Sequence, residues 1–348
     1  MKEILLKQFG QYPEMQIVDA VKLLYQSEFG GGHLINDAEK SLLRIKQEWT
    51  QMNHISEGSL IEEIGDGICR IDLRILNEGL DPQTLNQMFI RSAEKISGTV
   101  IGFEKKLAYL REMCISRELL FDVDELDQYI SEYKNAEYLP VSHSEKYRTH
   151  YHPNYRVILS EYARYISVFC KIDRIRADNN RKQTIVGIDG MCGSGKSTLG
   201  RILKEIYDCN LFYMDDYFLR PEQRTESRLA EPGGNVDYER FREEIFNHLS
   251  DPDGITYQVY HCGIQKLDKV VSVPYKTLNI IEGTYSHHPY FGDPYDLKLV
   301  CKISSEEQER RILKRNGPEL FERFKNVWIP MENVYFKTFD IEGNGIIV

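Results

Sequence analysis

Residues 190–198 read Gly-Met-Cys-Gly-Ser-Gly-Lys-Ser-Thr and decide the fold class expected for this chain. The stretch matches the pattern G-x-x-x-x-G-K-[S/T], in which a glycine-rich loop surrounds phosphate groups. Residues 184–188 before it are apolar and mostly β-branched, which predicts a buried strand. Residues 198–206 after it carry apolar side chains at the spacing of one helical face. A strand, a glycine loop and a helix in this order favour a phosphate-binding loop over a chance glycine-rich turn.

The residue types of the loop suit a nucleoside triphosphate. Glycines let successive backbone amides point at an anion, and the following helix adds its positive N-terminal end. Lys196 supplies a charge for the β- and γ-phosphates, Ser197 a hydroxyl for Mg²⁺, and Thr198 a hydroxyl near the α-phosphate. The predicted cofactors are therefore ATP and Mg²⁺. The residues predicted to bind the nucleotide are Gly190, Cys192, Gly193, Ser194, Gly195, Lys196, Ser197 and Thr198.

Length and composition restrict the class of protein. A chain of 348 residues is long enough for two domains, and 41% hydrophobic with 28% charged residues is typical of a soluble globular protein. A net charge of −10 argues against nucleic acid as the main partner. The absence of a run of about 18 apolar residues argues against a membrane partner. Seven cysteines without a C-x-x-C pair favour the reducing cytoplasm. The sequence leaves a homo-oligomer open.

The apolar pattern changes in the middle of the chain. Residues 1–175 carry mainly helical periodicity, including a helix that stops at the glycines 30–32 and a long amphipathic stretch at 155–175. After the polar stretch 174–183, apolar strands alternate with helices, which predicts a parallel sheet with helices on its faces. We expect a mainly helical domain of unknown role in 1–175 and a P-loop NTP-binding kinase domain in 176–348. The predicted strands are 184–188, 211–214, 255–260, 278–281 and 297–303.

Two acidic residues follow predicted strands, where such sheets bind ligands. Asp215 follows residues 211–214 and could accept a proton from an attacking hydroxyl group, although a strand-end aspartate can also cap a turn. Glu282 follows residues 278–281 and could hold Mg²⁺, although a glutamate in a salt bridge would look the same. Asp215 and Lys196 are predicted catalytic residues. The predicted metal site consists of Ser197, Asp215 and Glu282.

A basic helix is predicted at residues 306–315. Its cationic side chains could close over the transferred phosphoryl group, or they could form an ordinary solvated face, and the sequence leaves both interpretations open. Arg311 and Arg315 are the predicted catalytic residues on this helix.

With these motifs assembled, roughly residues 180–335 resemble the uridine kinase-like family of P-loop kinases. The matching parts are residues 190–198, Met214–Tyr217, 280–283 and 310–313. The resemblance implies the P-loop kinase fold, with Asp215 as the catalytic base and Glu282 as the acidic partner of the metal. The arrangement looks most like bacterial proteins labelled uridine kinase that carry an extra N-terminal domain.

The resemblance also implies an acceptor, most simply the 5′-hydroxyl of a nucleoside such as uridine or cytidine. Family members contact the base through an aromatic residue and a histidine near the strand that corresponds to 255–262, and here the spacing departs from that pattern. The predicted substrate-binding residues are Asp215, Tyr217, Tyr257 and His261. Nicotinamide riboside, pantothenate or a sugar phosphate are alternative acceptors. A regulatory ATPase with a helical partner-binding domain is an alternative of another class.

Histidines cluster near the end of the helical half. His150 and His152 could face one metal site, but no acidic or cysteine residue lies at a suitable spacing. A surface or interdomain role is therefore the favoured interpretation for them and for the nearby His143.

Overall fold

The structure is a computed structural model, and it describes residues 1–52, 58–178 and 182–348. The chain divides into two units, Met1–Asp173 and Arg174–Val348. Each unit has a buried apolar cluster of its own, around Leu24 and Phe103 in the first and around Phe212 and Tyr335 in the second. No helix in the described ranges is long and apolar enough to cross a membrane.

The first unit is mainly helical, with one small sheet. Its helices are α1 (Lys2–Gln11), α2 (Ile17–Phe29), α3 (Ala38–Thr50), α4 (Pro82–Lys95), α5 (Val100–Ile115), α6 (Val123–Asn135), α7 (Glu145–Tyr151), α8 (Ser160–Ala163) and α9 (Ile166–Arg176). Its strands are β1 (Ile61–Gly65), β2 (Ile68–Asp72) and β3 (Tyr155–Leu159), which form an antiparallel sheet in that order.

Helix boundaries in this unit follow local signals. Gly30 ends α2 with a φ of 67°, which confirms the predicted stop at the glycines. Asp81 precedes Pro82 at the start of α4, and its carboxylate accepts a hydrogen bond from the amide of Gln83.

The helix predicted for 155–175 is wrong in its first part. Residues Tyr155–Leu159 form β3, whose Tyr155 lies opposite Asp72 and whose Leu159 lies opposite Ile68 of β2. The centre of β3 is buried on both faces, and a short, mainly apolar run of this kind does not distinguish a strand from a buried helix. The helical conformation begins only at α8.

The second unit contains a parallel sheet, a separate hairpin and flanking helices. Its strands are β4 (Thr184–Gly190), β5 (Asn210–Tyr213), β6 (Ile255–His261), β7 (Lys266–Val273), β8 (Leu278–Glu282), β9 (Leu297–Cys301) and β10 (Ile346–Ile347). Its helices are α10 (Lys196–Ile206), α11 (Glu226–Ala230), α12 (Tyr238–Glu244), α13 (Ser305–Arg323) and α14 (Ile329–Thr338).

The main sheet has the strand order β10-β9-β4-β8-β5, and every pair in it is parallel. Strand β4 is central, with its Ile188 opposite Glu282 of β8 and its Gly190 opposite Cys301 of β9. The chain passes from β4 to β5 on one side of β4 and later from β8 across to β9 on the other side, so the loop after β4 lies at the position where parallel sheets bind ligands. The predicted fold class is confirmed in its architecture, a parallel sheet with helices around it, preceded by a mainly helical region.

One predicted strand belongs elsewhere. Strand β6 covers the predicted 255–260 but pairs antiparallel with β7, and neither joins the parallel sheet. Residues 262–265 connect the two strands, and a connection this short can close only an antiparallel hairpin. The sequence pattern identified the strand but not its partner.

Candidate active site

The phosphate-binding loop begins where β4 ends. Gly190, Gly193 and Gly195 have φ values of 151°, 77° and 107°, which side-chain-bearing residues rarely adopt. Space also excludes a side chain at the first of them, because a Cβ atom on Gly190 would lie 2.5 Å from the carbonyl oxygen of Cys301. The loop conformation therefore depends on the glycines of the motif.

Helix α10 begins directly after the loop. Gly195 is its N-cap and has no side chain to occupy the first amides of the helix, so these amides are available to an anion. The ammonium group of Lys196 donates hydrogen bonds to the carbonyl oxygens of Gly190 at 2.7 Å and Met191 at 3.0 Å. Lys196 is only 8% exposed, so its charge is held against the loop.

Side chains from distant segments hold the loop in place. The amide of Cys192 donates to a carboxylate oxygen of Glu332 at 2.9 Å, and the side-chain amide of Gln308 donates to the carbonyl oxygen of Cys192 at 2.9 Å. The guanidinium group of Arg311 donates to the carbonyl oxygen of Gly193 at 3.1 Å. Sequence analysis missed Glu332 and Gln308, which lie 140 and 116 positions from Cys192 and belong to no local motif.

Asp189 connects the loop to two other segments of the second unit. This residue is fully buried, and its carboxylate accepts hydrogen bonds from the amides of Gly190 at 2.7 Å and His287 at 2.9 Å. It also accepts one from the hydroxyl of Tyr335 in α14 at 2.8 Å. Sequence analysis missed Asp189 because the predicted strand ended at residue 188, whereas β4 continues to Gly190.

Glu282 lies at the end of β8, beside the start of α10. Its backbone pairs with Ile188 on one side and Tyr213 on the other, and the hydroxyl of Ser197 is hydrogen-bonded to its carboxylate. The residue is 4% exposed, and this burial raises its pKa to about 7 although Lys196 and Ser197 act in the opposite direction. A carboxylate buried in this way is stabilised when it binds a proton or a cation.

A pair of aspartates follows β5. Asp215 and Asp216 lie in the 3₁₀ turn Met214–Tyr217, with Asp215 exposed and Asp216 half-buried. Burial, followed by the charge of Asp215, raises the pKa of Asp216 to about 6. The charges of both aspartates also help to raise the pKa of Glu282. Three carboxylates therefore repel one another at this edge of the sheet.

Protein side chains alone do not complete a metal site. In the described ranges, no group of three or more histidine, cysteine, aspartate or glutamate residues is arranged to hold an ion. Mg²⁺ commonly binds one or two carboxylates and takes its remaining ligands from water and substrate phosphates. The Ser197 hydroxyl and the Glu282 and Asp215 carboxylates fit that second kind of site.

One cavity of about 520 Å³ joins the loop, the carboxylates and helix α13. The predicted site residues that line it are Cys192, Gly193, Gly195, Lys196, Ser197, Thr198, Asp215, Glu282, Arg311 and Arg315. Gly190 and Ser194 belong to the loop but are not among the lining residues. The cavity thus combines a cationic, amide-rich wall with an acidic one.

The structure does not bring three predicted substrate residues to this cavity. Tyr217 is fully buried in the apolar core, where its hydroxyl donates to Glu244 at 3.1 Å and its ring lies 6.1 Å from that of Tyr257. Tyr257 is buried in the same core. His261 is exposed on the hairpin, and its ring nitrogen accepts a hydrogen bond from the amide of Gly263. Their contacts give these side chains packing and turn-forming roles.

Other side chains line the cavity in their place. The lining residues that sequence analysis did not single out are Phe218, Asn235, Cys262, Thr284, Tyr285, Phe324, Trp328 and Glu332. Four of them are aromatic, and the rings of Phe324 and Trp328 lie 4.5 Å apart in an edge-to-face contact. The sequence offered one indirect sign that such residues belong to the site, which is nearness to a recognised motif, as for Phe218 shortly after the acidic pair.

Comparison with known proteins gives limited matches. No family model matches the chain. A stretch of 66 residues is 33% identical to the bifunctional shikimate kinase/3-dehydroquinate synthase of Thermotoga maritima, and it covers 19% of this chain but only 13% of that protein. A solved structure described as a possible uridine kinase from Bacillus stearothermophilus is 18% identical, covering 51% of this chain and 96% of its own, with a TM-score of 0.39. Similarity at this level assigns no activity or residue role to the chain.

Proposed function

We propose that the chain is an ATP-dependent kinase that transfers the γ-phosphoryl group to a primary hydroxyl of a small molecule, and that this acceptor is a nucleoside such as uridine or cytidine. The observation that carries the proposal is that the phosphate-binding loop and the exposed carboxylate of Asp215 open into the same cavity. A loop of this kind holds the phosphates, and a carboxylate beside them can receive the proton of an acceptor hydroxyl.

The loop amides and Lys196 would hold the nucleotide phosphates. Ser197, Glu282 and Asp215 would hold magnesium, which supplies positive charge to the β- and γ-phosphate oxygens when it is bound. The raised pKa of Glu282, about 7, supports this assignment, because a nearby cation would offset the unfavourable burial of its charge.

Asp215 would act as the catalytic base. The acceptor oxygen forms a bond to the γ-phosphorus while its proton moves to the Asp215 carboxylate, and the bond between the γ-phosphorus and the bridging oxygen breaks to release ADP. Lys196, Arg311 and Arg315 would stabilise the negative charge on the transferred group. Water exclusion and positioning of the hydroxyl account for the rest of the rate increase.

The aromatic lining supports an acceptor with a flat ring. Phe218, Tyr285, Phe324 and Trp328 all contribute to the cavity, and nucleobases stack well on such side chains. This argument replaces the one from Tyr217, Tyr257 and His261, whose positions do not support contact with a substrate in this cavity.

The catalytic role is tested by Asp215→Asn. We expect this variant to bind ATP within about threefold of the wild type but to lose about 100-fold or more in kcat, a typical effect of removing one positioned catalytic group. Asp216→Asn is the matched control, because Asp216 does not line the cavity, and it should keep most of the activity. Full turnover in Asp215→Asn would assign the base to another residue.

The acceptor is tested by product analysis across uridine, cytidine, nicotinamide riboside, pantothenate and a sugar phosphate. A kinase releases ADP only when an acceptor is present, so ADP release should depend on a hydroxyl compound and should be fastest with a pyrimidine nucleoside. Equal ADP release with and without every acceptor would contradict the kinase assignment and support a regulatory ATPase.

A further inference from the structure

A second cavity, of about 560 Å³, lies within the first unit and is lined by an excess of positive charge. Its cationic residues are Lys22, Arg44, Arg148 and Arg156, and in the described ranges of the chain Glu48 is the one carboxylate that lines it. We call it the basic cavity. Its charge is opposite to that of the whole chain, which carries a net −10.

The cations of the basic cavity come from four separate elements. Lys22 belongs to α2, Arg44 to α3, Arg148 to α7 and Arg156 to β3. Like charges brought together by folding repel one another, and the repulsion grows where water is partly excluded. No single helix face carries all four cations. The positive charge is therefore concentrated by the fold and does not come from a run of charged residues on one solvated surface.

Glu48 does not neutralise the basic cavity. Its carboxylate is shared between Arg44, whose Nε lies 2.8 Å from it, and Arg156, whose Nη1 lies 2.7 Å from it. Arg156 is 6% exposed, and its Nη2 is buried and has no hydrogen-bond partner among the residues that the structure describes. A buried charged donor without a partner is unfavourable, and a ligand oxygen in the basic cavity could supply the missing acceptor.

Lys22 lines the basic cavity and is bonded to a backbone carbonyl oxygen. Its ammonium group donates to the carbonyl oxygen of Val141 at 2.6 Å, and no ion pair of Lys22 is found in the described part of the chain. Burial, followed by the charge of Arg70, lowers its pKa to about 8, although Asp19 acts in the opposite direction. A nearby anion would therefore stabilise the charged form of this side chain.

His143, which lines the basic cavity, is neutral near pH 7, and the buried Asp19 bonded to it is already engaged in hydrogen bonds. His143 is bonded through Nδ1 to Asp19 at 2.8 Å and through Nε2 to the hydroxyl of Tyr155 at 2.7 Å. Burial lowers the pKa of His143 to about 4, so it carries no charge near pH 7. Asp19 is fully buried and also accepts hydrogen bonds from Ser144, so it presents no free carboxylate to a ligand.

We propose that the basic cavity binds a phosphorylated small molecule, with its phosphate group at Lys22 and Arg156 and the rest of the ligand toward the exposed Arg44 and Arg148. A phosphate monoester carries about two negative charges near neutral pH and several acceptor oxygens, which matches several cations and an unpartnered donor. The volume is that of a pocket for a whole metabolite and is larger than inorganic phosphate requires. This proposal does not depend on the proposed kinase activity.

Calorimetric titration of the full chain tests the proposal with three probes at constant ionic strength: ribose 5-phosphate, inorganic phosphate and ribose. We expect ribose 5-phosphate to bind at least fivefold more tightly than inorganic phosphate, and ribose not to bind. The double variant Arg44→Gln/Arg148→Gln should weaken binding of ribose 5-phosphate about tenfold, since it removes two charge-assisted contacts. Both side chains are exposed, so the fold should be retained, and Lys46→Gln on the same α3 is the matched control that should bind normally.

The phosphate-binding loop of the second unit could bind the same probes, so the titration is repeated with Lys196→Met. Unchanged affinity in Lys196→Met together with the loss in the arginine double variant supports the proposal. Loss of binding in Lys196→Met with normal binding in the double variant overturns it. Equal affinity for inorganic phosphate and ribose 5-phosphate, or no binding of either by the wild type, overturns it as well.

Discussion

At the scale of single residues, Glu282 is a carboxylate that is costly to bury and that lines the candidate site. It is 4% exposed at the end of a central strand, beside Ser197 and near two aspartates. Burial raises its pKa from 4.5 to about 7, which means that keeping it charged opposes folding. Residues in such environments occur at functional sites, where stability is given up for chemistry.

This shift predicts a pH-dependent stability in the nucleotide-free protein. Because the folded-state pKa lies above the unfolded-state value, the contribution of Glu282 to the free energy of unfolding is complete below pH 4.5 and is lost as the pH rises through about 7. Glu282→Gln has no charge to bury and so avoids this loss of stability at high pH. At pH 8 the substitution should therefore raise the free energy of unfolding by up to about 3 kcal/mol. Denaturant unfolding at pH 5 and pH 8 measures the difference.

The same variant should lose kinase activity, since glutamine cannot offset the charge of a bound cation. Glu319→Gln is the control, because Glu319 is exposed on α13 and should affect neither stability nor turnover. A Glu282→Gln protein that is less stable than the wild type at pH 8 would contradict this account of the buried carboxylate.

At the scale of elements, helix α13 carries cations with two different environments. Arg310 and Arg311 both pair with Glu307, at 2.6 Å and 2.7 Å, but Arg311 also donates to the loop carbonyl of Gly193 and lines the cavity, whereas Arg310 does not line it. Gly317, with a φ of 77°, interrupts the helix two residues after the cavity-lining Arg315. The helix therefore presents only some of its charges to the candidate site.

This difference predicts unequal effects of two neighbouring substitutions. Arg311→Gln should lower kcat by about 100-fold, since it removes a positive charge beside the transferred phosphoryl group. Arg310→Gln should change kcat by less than about twofold, because an exposed ion pair contributes little. Steady-state kinetics on both variants make the comparison, and equal losses would show that α13 acts through its overall charge.

At the scale of the whole molecule, the chain consists of two units with separate apolar clusters. The phosphate-binding loop and all predicted catalytic residues belong to Arg174–Val348, and the basic cavity belongs to Met1–Asp173. A ligand that binds one folded unit raises the stability of that unit by mass action.

Calorimetry of thermal unfolding should therefore show two transitions. ATP with Mg²⁺ at about 100 times its Kd should stabilise one of them by about 2.7 kcal/mol, while the other stays in place. The control is Lys196→Met, in which ATP should shift neither transition. A single transition that moves as a whole with ATP would show that the two units unfold together.

Local signals in the sequence were sufficient to predict those parts of the candidate site whose conformation depends on neighbouring residues. The glycine loop, the strand before it and the helix after it follow from side chains within about one turn of one another, and positive φ values at Gly193 and Gly195 require glycine whatever surrounds them. Asp215 and Glu282 were predicted together because each comes where an apolar strand ends, and parallel strands end at one edge of a sheet; both line the cavity.

The tertiary structure alone decided which distant side chains meet. Tyr335 lies 146 positions from Asp189, and no periodicity in the sequence connects them. The pairing of β6 with β7, the strand conformation of β3 and the burial of Tyr217 likewise depend on partners supplied by other segments. Backbone preferences depend on residues that are neighbours in the chain. Burial and strand pairing depend on segments that are distant in the chain and meet only when it folds.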